Sequence, residues 1–485
     1  EFPLFAWLNG DLHAHMMGTP FLLLAAALGY ALYLAPASAR RHRRGLLGVA
    51  ALLGSFQIVT DTWSFPSVFG IAFLALASAP AGPVTLLPES WAERVRGVDD
   101  SRAAEELRRP LLALGTVAAA GVVTVVLGVP FLTSAGASRS IALLGPENRS
   151  GLGELLIVHG AFVALFFVYL FARVGGDRRW PLAGALLALG VVTTTQGMPV
   201  LALTAPMFVL GWACLRLDRP VGYETVLLLA GAGLVTLVEF VYVVEKAGPL
   251  RMNTVFKTYM QVWVLWGTAA GVVAAATLRR PRFLPELTPE RRRAVATGVV
   301  ALVVLSTSVY GAFALTSHFS GQSGRATLDA TSFPPRYNEA EVDAVFWLDA
   351  RTTTETTLLS APATSWYPAK QSWGYPPGMY SWNSAIAASL TGAPTVAGWG
   401  HEVGYRGPQA YYSRVAQVDA AYTGPPSKTA AVLRQYDVEY VWVGTAERAR
   451  YGDAMVDFGE IPGLTVVFQN DAVTVYRVTE EELPE

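Results

Sequence analysis

The sequence contains little charge and almost no cysteine. Charged residues make up 15% of the 485 residues, well below the ~25% of a typical soluble domain. The 36 Lys and Arg residues nearly balance the 37 Asp and Glu residues, so bulk charge does not favour nucleic acid as a partner. Cys214, which lies in an apolar run, is the only cysteine. A single cysteine excludes an intrachain disulfide.

Several recognisable signatures are also absent. The sequence holds no G-x-S-x-G nucleophile motif, no H-E-x-x-H metal motif, no P-loop and no cysteine-rich metal site. It begins Glu1-Phe2-Pro3, without a basic segment ahead of a hydrophobic core. We therefore predict no signal peptide and expect a fragment or processed chain that lacks earlier spans.

What the sequence does contain is apolar residues. They make up 52% of the chain, and the mean hydropathy is +0.37. A spanning helix needs ~20 mostly apolar residues, and 110–131 and 294–316 carry no charge at all. We predict a polytopic α-helical membrane bundle over residues 1–317, with about ten spans at 18–36, 45–60, 66–80, 110–131, 154–173, 181–196, 198–216, 222–243, 257–278 and 293–316.

The loops between these spans alternate in charge. One set is rich in arginine and comprises 40–44, 94–109, 173–179, 216–219 and 279–293. Cytoplasmic loops of membrane proteins carry an excess of Lys and Arg. We therefore predict a multi-pass protein of the cell membrane whose arginine-rich loops are cytoplasmic. The other loops and the C-terminal part of the chain would then be extracytoplasmic.

Beyond about residue 317 polar residues return and short apolar stretches alternate with turns. The pattern predicts helices at 342–349 and 428–436, strands at 357–360 and 440–444, and a hairpin of 464–469 with 473–478. Strands that alternate with helices indicate a small α/β domain, which we place at residues 318–485 on the extracytoplasmic side.

The sharpest motif is Gly10-Asp11-Leu12-His13-Ala14-His15, just ahead of a span. An acid and two imidazoles within five residues can hold a divalent cation such as Mg²⁺ or Mn²⁺, with Asp11 and His15 as its ligands, or can supply a general base. The alternative is an interfacial cap in which Asp11 accepts hydrogen bonds from free backbone N–H groups.

A second acid lies in Asp61-Thr62-Trp63-Ser64-Phe65-Pro66, between two spans. An acid costs ~2.5–3.5 kcal/mol at mid-membrane and less near the surface. We therefore expect a metal, a substrate or a cation to compensate Asp61. The alternative is a cap for the span that begins at Pro66, with Trp63 in the aromatic belt.

Residues 251–257, RMNTVFK, begin a span on the predicted outer side, where the positive-inside rule disfavours cations. Arg251 and Lys257 at the outer start of a helix suit a phosphate or pyrophosphate. Asn253, Lys257 and Gln261 recur every four residues, so we expect them on one helix face.

The alternative for these cations is a salt bridge to Glu239 or Glu245. Glu239 is a binding-site candidate in its own right, because an acid within a membrane span is usually functional.

In the C-terminal part, Gly398-Trp399-Gly400-His401-Glu402 and Arg406 follow a stretch rich in Trp and Tyr. Aromatic rings with polar neighbours suit a sugar face or a membrane interface. We predict that His401, Glu402 and Arg406 contact a substrate. The alternative is a compact turn packed against the bundle.

These segments resemble the uncharacterised YYY (Chlor_Arch_YYY) family of multispanning membrane proteins of archaea and bacteria. The resemblance covers most of the chain and rests on residues 1–3, 10–15, 61–66, 251–257 and 398–402. Members usually have further spans and a Tyr-rich loop before the Glu-Phe-Pro segment, which this sequence does not contain. The family is in turn similar to the GT-C superfamily of integral-membrane glycosyltransferases, an analogy at the level of fold.

GT-C enzymes transfer a sugar from a polyprenyl-phosphate donor at the outer membrane face. The resemblance implies that Asp11 is a general base or metal ligand, and that His13, His15 and Asp61 assist it. Arg251 and Lys257 would then bind the donor phosphate. The remaining implied roles are donor orientation by Asn253 and Gln261, and acceptor contacts by His401, Glu402 and Arg406.

In GT-C enzymes the leading acid normally lies in the first outer loop, so Asp11 could instead belong to a second shell or a second site. The implied partners are a lipid-linked sugar donor and membrane lipids. A transporter or flippase for a lipid-linked or anionic substrate is the alternative, with Asp11, Asp61, Glu239 and Lys257 as polar sites. It should show an inverted repeat and a midplane site, and the sequence shows neither. A non-catalytic membrane scaffold is the third possibility.

Overall fold

The structure is a computed structural model, and it describes residues 4–8, 13–97, 101–134, 140–174, 179–217, 219–244, 250–279, 281, 287–320, 338–362, 385–400 and 402–485. These residues fall into two compact units. One is a helical bundle formed by the described residues up to 320, and the other is a smaller α/β unit formed by those from 338 onward.

The first unit consists of helices and one short strand pair. Its helices are α1 (Leu4–Leu8), α2 (Ala14–Met17), α3 (Thr19–Leu34), α4 (Arg40–Thr60), α5 (Phe65–Ser78), α6 (Glu89–Arg96), α7 (Arg102–Ser134), α8 (Leu152–Val174), α9 (Arg179–Thr195), α10 (Pro199–Arg216), α11 (Tyr223–Leu237), α12 (Met252–Arg279) and α13 (Pro289–Phe319). Proline in the first turn of α3, α5, α10 and α13 suits the fixed φ of a helix start, where no N–H partner is lost.

The helical character predicted for the bundle is confirmed. Within the described part of the chain, six helices are long and apolar enough to cross a membrane: Ala14–Leu34, Arg102–Thr133, Leu152–Val174, Pro199–Arg216, Met252–Arg279 and Pro289–Phe319. Three shorter apolar helices cover Phe65–Ser78, Trp180–Thr195 and Tyr223–Leu237.

The prediction of a single span over 222–243 was wrong at its C-terminal end. Helix α11 stops at Leu237, and strand β2 (Val241–Val243) pairs antiparallel with β1 (Ile141–Leu143). A short run of Val, Tyr and Phe fits a strand as well as a helix, so composition alone did not reveal the break. Glu239 therefore lies in the turn after α11, outside the helix.

Helix α11 lies at the centre of the bundle and packs against α12, α10 and α5. Its contact with α12 is close because Gly231 has no side chain. A Cβ built on Gly231 would lie 2.1 Å from Nε1 of Trp266. The indole N–H of Trp266 donates to the Leu228 carbonyl over 2.9 Å, and Trp266 is 1% exposed. A fully buried indole therefore finds its partner on the neighbouring helix backbone.

The outer surfaces of α7 and α13 are strongly apolar. On α13, Leu302, Leu305 and Phe313 are each at least 65% exposed. Soluble proteins rarely expose apolar patches of this extent, whereas a lipid-facing helix requires them. These faces are therefore suited to contact with acyl chains.

The second unit contains a four-stranded sheet in the order β3-β4-β6-β5. Strands β3 (Thr357–Leu359) and β4 (Val438–Val443) are parallel, and β5 (Leu464–Gln469) and β6 (Thr474–Val478) form the predicted hairpin. Its helices are α14 (Glu339–Asp349), α15 (Ile386–Thr391), α16 (Glu402–Arg406), α17 (Pro408–Thr423), α18 (Pro426–Gln435) and α19 (Thr445–Tyr451). The predicted helices and strands of this region are confirmed.

Candidate functional site

Asp61 ends helix α4 and is almost entirely buried, with 2% of its surface exposed. The Ser64 hydroxyl donates to one carboxylate oxygen, and the Trp63 backbone N–H lies 3.3 Å from the other. Gly18, between α2 and α3, faces the same carboxylate so closely that a Cβ there would lie 2.6 Å from Oδ2. The chain thus folds a compact polar turn around a buried acid.

The two histidines of the N-terminal motif lie beside this turn. The ring centroids of His13 and His15 are 4.7 Å apart. His15 is buried, and its ring packs edge-to-face with that of Phe256 on α12, with the ring centroids 4.8 Å apart. His13 and Lys257 are both close enough for their charges to act on the Asp61 carboxyl group. Helices α2 and α12 therefore bring a histidine pair and a cation to one acid.

Two side chains of helix α12 also contact the turn that contains Asp61. The Lys257 ammonium lies 4.8 Å from the centroid of the Trp63 ring, a cation–π contact. One helical turn further, the Gln261 amide oxygen accepts from the Ser67 hydroxyl at 2.5 Å, and its nitrogen lies 3.3 Å from the Trp63 carbonyl. We call His13, His15, Asp61, Lys257 and Gln261 the Asp61 cluster.

Arg251 belongs to a separate group of contacts. Its guanidinium pairs with the Glu239 carboxylate at 2.7 Å and donates to the Val238 carbonyl and to the Ser150 hydroxyl. The Ser150 N–H donates to the other Glu239 oxygen at 2.8 Å. Arg149 donates to the Glu239 carbonyl at 3.2 Å. The salt bridge to Glu239 that was the alternative interpretation for these cations is therefore present for Arg251. Lys257 contacts Trp63 instead.

The other predicted site residues lie on helix α12, in the second unit or outside the described residues. Asn253 lies on α12 with Lys257 and Gln261, so the expected shared helix face is confirmed. Glu402 and Arg406 pair with each other on α16 in the second unit. Asp11 and His401 lie outside the described residues, so their predicted roles stay predictions.

The predicted metal site, with Asp11 and His15 as ligands, is also untested. Among the described residues, no three or more His, Cys, Asp or Glu side chains are grouped so that they could hold a metal ion. Asp11, the predicted first ligand, is not among those residues.

Sequence reasoning missed several polar side chains that complete these groups. Ser64 and Ser67 fix the Asp61 turn, and Ser150 bridges Glu239 to Arg251. His159 on α8 is 1% exposed, and neither ring nitrogen has a hydrogen-bond partner in the described part of the chain. Its ring meets Tyr259 edge-on at 4.5 Å. An imidazole inside an apolar run was the available signal.

The Asp61 cluster combines two chemical capacities. A buried carboxylate beside imidazoles can accept a proton from a bound hydroxyl group. An ammonium group on the same side can bind an anion such as phosphate, as a point charge. The two capacities lie in one place because helices α2, α4 and α12 meet there.

Comparison with known proteins gives a match that covers most of the helical bundle. No curated protein matches the chain. A family model described as an uncharacterized membrane protein, DUF2298, matches residues 1–266, which include the whole Asp61 cluster and the Glu239–Arg251 pair. The chain therefore belongs to the DUF2298 family of membrane proteins.

Proposed function

We propose that the protein is an integral-membrane glycosyltransferase that uses a polyprenyl-phosphate-linked sugar at the outer membrane face. One observation carries the proposal: a buried acid, two histidines and a lysine from three distant segments converge in the Asp61 cluster. A transferase of this kind needs a base for the acceptor and a cation for the leaving phosphate. The cluster offers both within one site.

The transfer forms one bond and breaks another. The acceptor hydroxyl oxygen attacks the anomeric carbon of the sugar and gives its proton to a carboxylate. The bond from that carbon to the phosphate oxygen breaks, and polyprenyl phosphate leaves with the electron pair. Asp61 is the described carboxylate suited to take the proton or to orient the base. Asp11, four residues before His15, is the second candidate.

Lys257 is the better supported phosphate ligand of the two predicted cations. Arg251 is neutralised by the Glu239 carboxylate at 2.7 Å. Lys257 contacts the Trp63 ring and is close enough to Asp61, the proposed base, for their charges to interact, so a phosphate bound by Lys257 would lie next to the reacting hydroxyl group. We therefore assign donor-phosphate binding to Lys257, and we assign to Arg251 the support of the helix α12 start.

The C-terminal unit enters the proposal as an acceptor-binding part on the extracytoplasmic side, with His401, Glu402 and Arg406 as its contact residues. A divalent cation held by Asp11 and His15 would polarise the donor phosphate.

The test is sugar transfer in vesicles that contain the purified full chain. Labelled polyprenyl-phosphate hexoses and an extract of membrane acceptors are supplied, and release of polyprenyl phosphate is measured with and without Mg²⁺ or Mn²⁺. Asp61→Asn and Lys257→Gln should each lower turnover at least 100-fold. Glu154→Gln and Lys428→Gln, at exposed positions, should retain it.

The same vesicles separate the competing functions. A flippase moves the labelled donor across the bilayer without cleaving it, and a scaffold does neither. If the wild-type protein cleaves no donor but equilibrates it between leaflets, and Lys257→Gln abolishes that movement, the transferase assignment is wrong and transport replaces it.

A further inference from the structure

Two buried N–H groups on either side of Asp61 have no acceptor in the part of the chain that the structure describes. One is Nε2 of Gln57, a residue of α4 that is 0% exposed. The other is the indole Nε1 of Trp63, which is buried although the residue as a whole is only half-buried. Buried polar groups are nearly always hydrogen-bonded, because an unpaired one costs its full desolvation free energy. Two such groups beside one acid therefore indicate a ligand that completes them.

The Gln57 amide is held at the level of the Asp61 turn. The backbone N–H of Asp61 donates to the Gln57 carbonyl at 2.8 Å, which places the two residues one helical turn apart. The amide oxygen of Gln57 lies 3.5 Å from the Thr60 hydroxyl, which also donates to the Phe56 carbonyl at 3.0 Å. The side chain thus extends along α4 toward Asp61. A hydroxyl group both donates and accepts, so it can pair with the open end of such an amide in either orientation.

The Trp63 indole is fixed beside the cation that we assign to the donor phosphate. The centroid of its ring lies 4.8 Å from the Lys257 ammonium. The backbone N–H of Trp63 lies 3.3 Å from the Asp61 carboxylate, and its carbonyl lies 3.3 Å from the Gln261 amide nitrogen. Its indole N–H is the polar group that still lacks a partner among the described residues. A phosphate oxygen bound by Lys257 can accept from this N–H group in a charge-assisted hydrogen bond.

Gln261 shows that local packing can satisfy a buried amide at this site. It is 4% exposed, its oxygen accepts from the Ser67 hydroxyl at 2.5 Å, and its nitrogen lies 3.3 Å from the Trp63 carbonyl. Gln57 is even less exposed, and its amide nitrogen has no such partner within the described ranges. The two glutamines are thus matched in type and burial and differ in whether the protein completes them.

We propose that Gln57 is a specificity-determining residue that binds a hydroxyl group of the donor sugar, while the Trp63 indole donates to the donor phosphate. This inference rests on the proposed glycosyl transfer. The sugar must lie between the phosphate at Lys257 and the acceptor hydroxyl group at Asp61, so its own hydroxyl groups come within reach of the end of α4. The ligand displaces the groups packed over the two donors, and the hydrogen bonds formed offset part of that cost. A donor without the hydroxyl group leaves the amide unpaired and is rejected.

The first test is the thermal stability of the full chain in neutral detergent without ligand. Gln57→Met removes an unpaired polar group and loses only the long contact with Thr60, so its unfolding temperature should equal or exceed that of wild type. Gln261→Met is the matched comparison and should unfold at a lower temperature, because it leaves the Ser67 hydroxyl and the Trp63 carbonyl unsatisfied. A lower unfolding temperature for Gln57→Met, or its failure to fold, would show that the protein itself completes the Gln57 amide and would overturn the proposal.

The second test is ligand binding, measured by the rise in unfolding temperature with ligand concentration. The probes are farnesyl-phosphate mannose, farnesyl-phosphate glucose and farnesyl phosphate, which carries no sugar. Wild type should bind at least one sugar donor more tightly than farnesyl phosphate. Gln57→Met should bind that donor at least tenfold more weakly, and farnesyl phosphate less than twofold more weakly. Trp63→Phe, which keeps a ring beside Lys257 but lacks the N–H group, should bind both at least threefold more weakly. Gln435→Met, at an exposed position of the second unit, should bind them like wild type.

Binding and turnover together separate the failure of this inference from that of the proposed function. If wild type transfers the sugar, but Gln57→Met binds the donor as tightly as wild type or binds all probes more weakly by one common factor, the inference is wrong and the transferase assignment stands. If the sugar donor binds through Gln57 but is never cleaved, the transferase assignment is wrong and the sugar contact stands. If wild type binds none of the probes, both are wrong.

Discussion

The carboxylate of Glu239 and the guanidinium of Arg251 are 2.7 Å apart, and Glu239 is only 1% exposed. Both charges have lost most of their water, so each depends on the other. In buried pairs, removing one partner costs about 3–5 kcal/mol because the remaining charge is uncompensated. The pair also ties the turn after α11 to the start of α12.

We therefore predict that Glu239→Gln and Arg251→Gln each lower the unfolding temperature in detergent strongly. The combined variant should lose less than the sum of the two, because it leaves no isolated charge. Glu402 and Arg406 provide a control pair on the exposed surface of α16. Their neutralisation should cost no more than ~0.5 kcal/mol. Additive losses at Glu239 and Arg251 would show that the pair does not act as a unit.

Gln261 is predicted to position the Asp61 turn. Gln261→Met removes the acceptor of the Ser67 hydroxyl and the donor to the Trp63 carbonyl. Leaving such buried groups unsatisfied costs about 1–3 kcal/mol. If the proposed reaction is correct, donor turnover should also fall at least tenfold at temperatures where the variant is fully folded. Gln435→Met, at an exposed position, should alter neither quantity.

The contact of Gly231 with Trp266 predicts a steric effect. Gly231→Ala should destabilise the bundle by about 1–3 kcal/mol, as overpacking does elsewhere, because the new methyl group would lie 2.1 Å from the indole nitrogen. Adding Trp266→Phe should recover part of that loss. Gly267→Ala on α12, where a Cβ meets nothing within 4 Å, should be neutral or stabilising. Thermal unfolding of the four proteins checks the prediction, which fails if Gly231→Ala behaves like Gly267→Ala.

Glu447 of the second unit gives a pH-dependent prediction. Burial raises the pKa of Glu447 to about 7, although the N–H groups of Ala361 and Gly444 donate to it and lower the pKa. Glu341, whose own pKa is raised by burial, adds a repulsive charge. The folded chain therefore holds a proton on Glu447 that the unfolded chain releases near pH 4.5.

The contribution of Glu447 to stability is consequently full below pH 4.5 and is lost as the pH rises to about 7. A pKa difference of this size corresponds to about 3 kcal/mol. Hydrogen exchange of the β4 and α19 amides in the full chain, followed from pH 5 to 8, measures it. Glu447→Gln should flatten the wild-type dependence across that window, whereas Glu439→Gln, an exposed acid on β4, should leave it unchanged. Parallel pH profiles for wild type and Glu447→Gln would rule the assignment out.

The Asp61 cluster was partly predictable because its members carry local signals. The spacing of four between Asn253, Lys257 and Gln261 required only that α12 be helical, and it is. Asp61 was predictable as a site residue because an acid between two apolar spans is costly and so is usually compensated. What no local pattern contained was the approach of α2 to α12, which sets His15 against Phe256.

The Glu239 group shows why the remainder was not predictable. Its contacts join residues from three separate segments, with Ser150 and Arg251 about a hundred positions apart. The pairing also depends on the end of α11 at Leu237, which an apolar run such as 237–244 does not mark. Both facts follow from tertiary packing, which decides between conformations that the local sequence leaves nearly equal.

The strand pair β1–β2 joins the segment before α8 to the segment after α11. Among the described residues, helices α8, α9, α10 and α11 therefore lie within one loop of chain that this strand pair closes. During biosynthesis this closure must wait until α11 has been made and inserted, and Arg251 emerges later still. A nascent chain that has not yet reached α12 thus carries Glu239 without its cation. The buried Glu239–Arg251 pair therefore forms only after the start of α12 has been made, and a chain truncated before Arg251 lacks the cation of that pair.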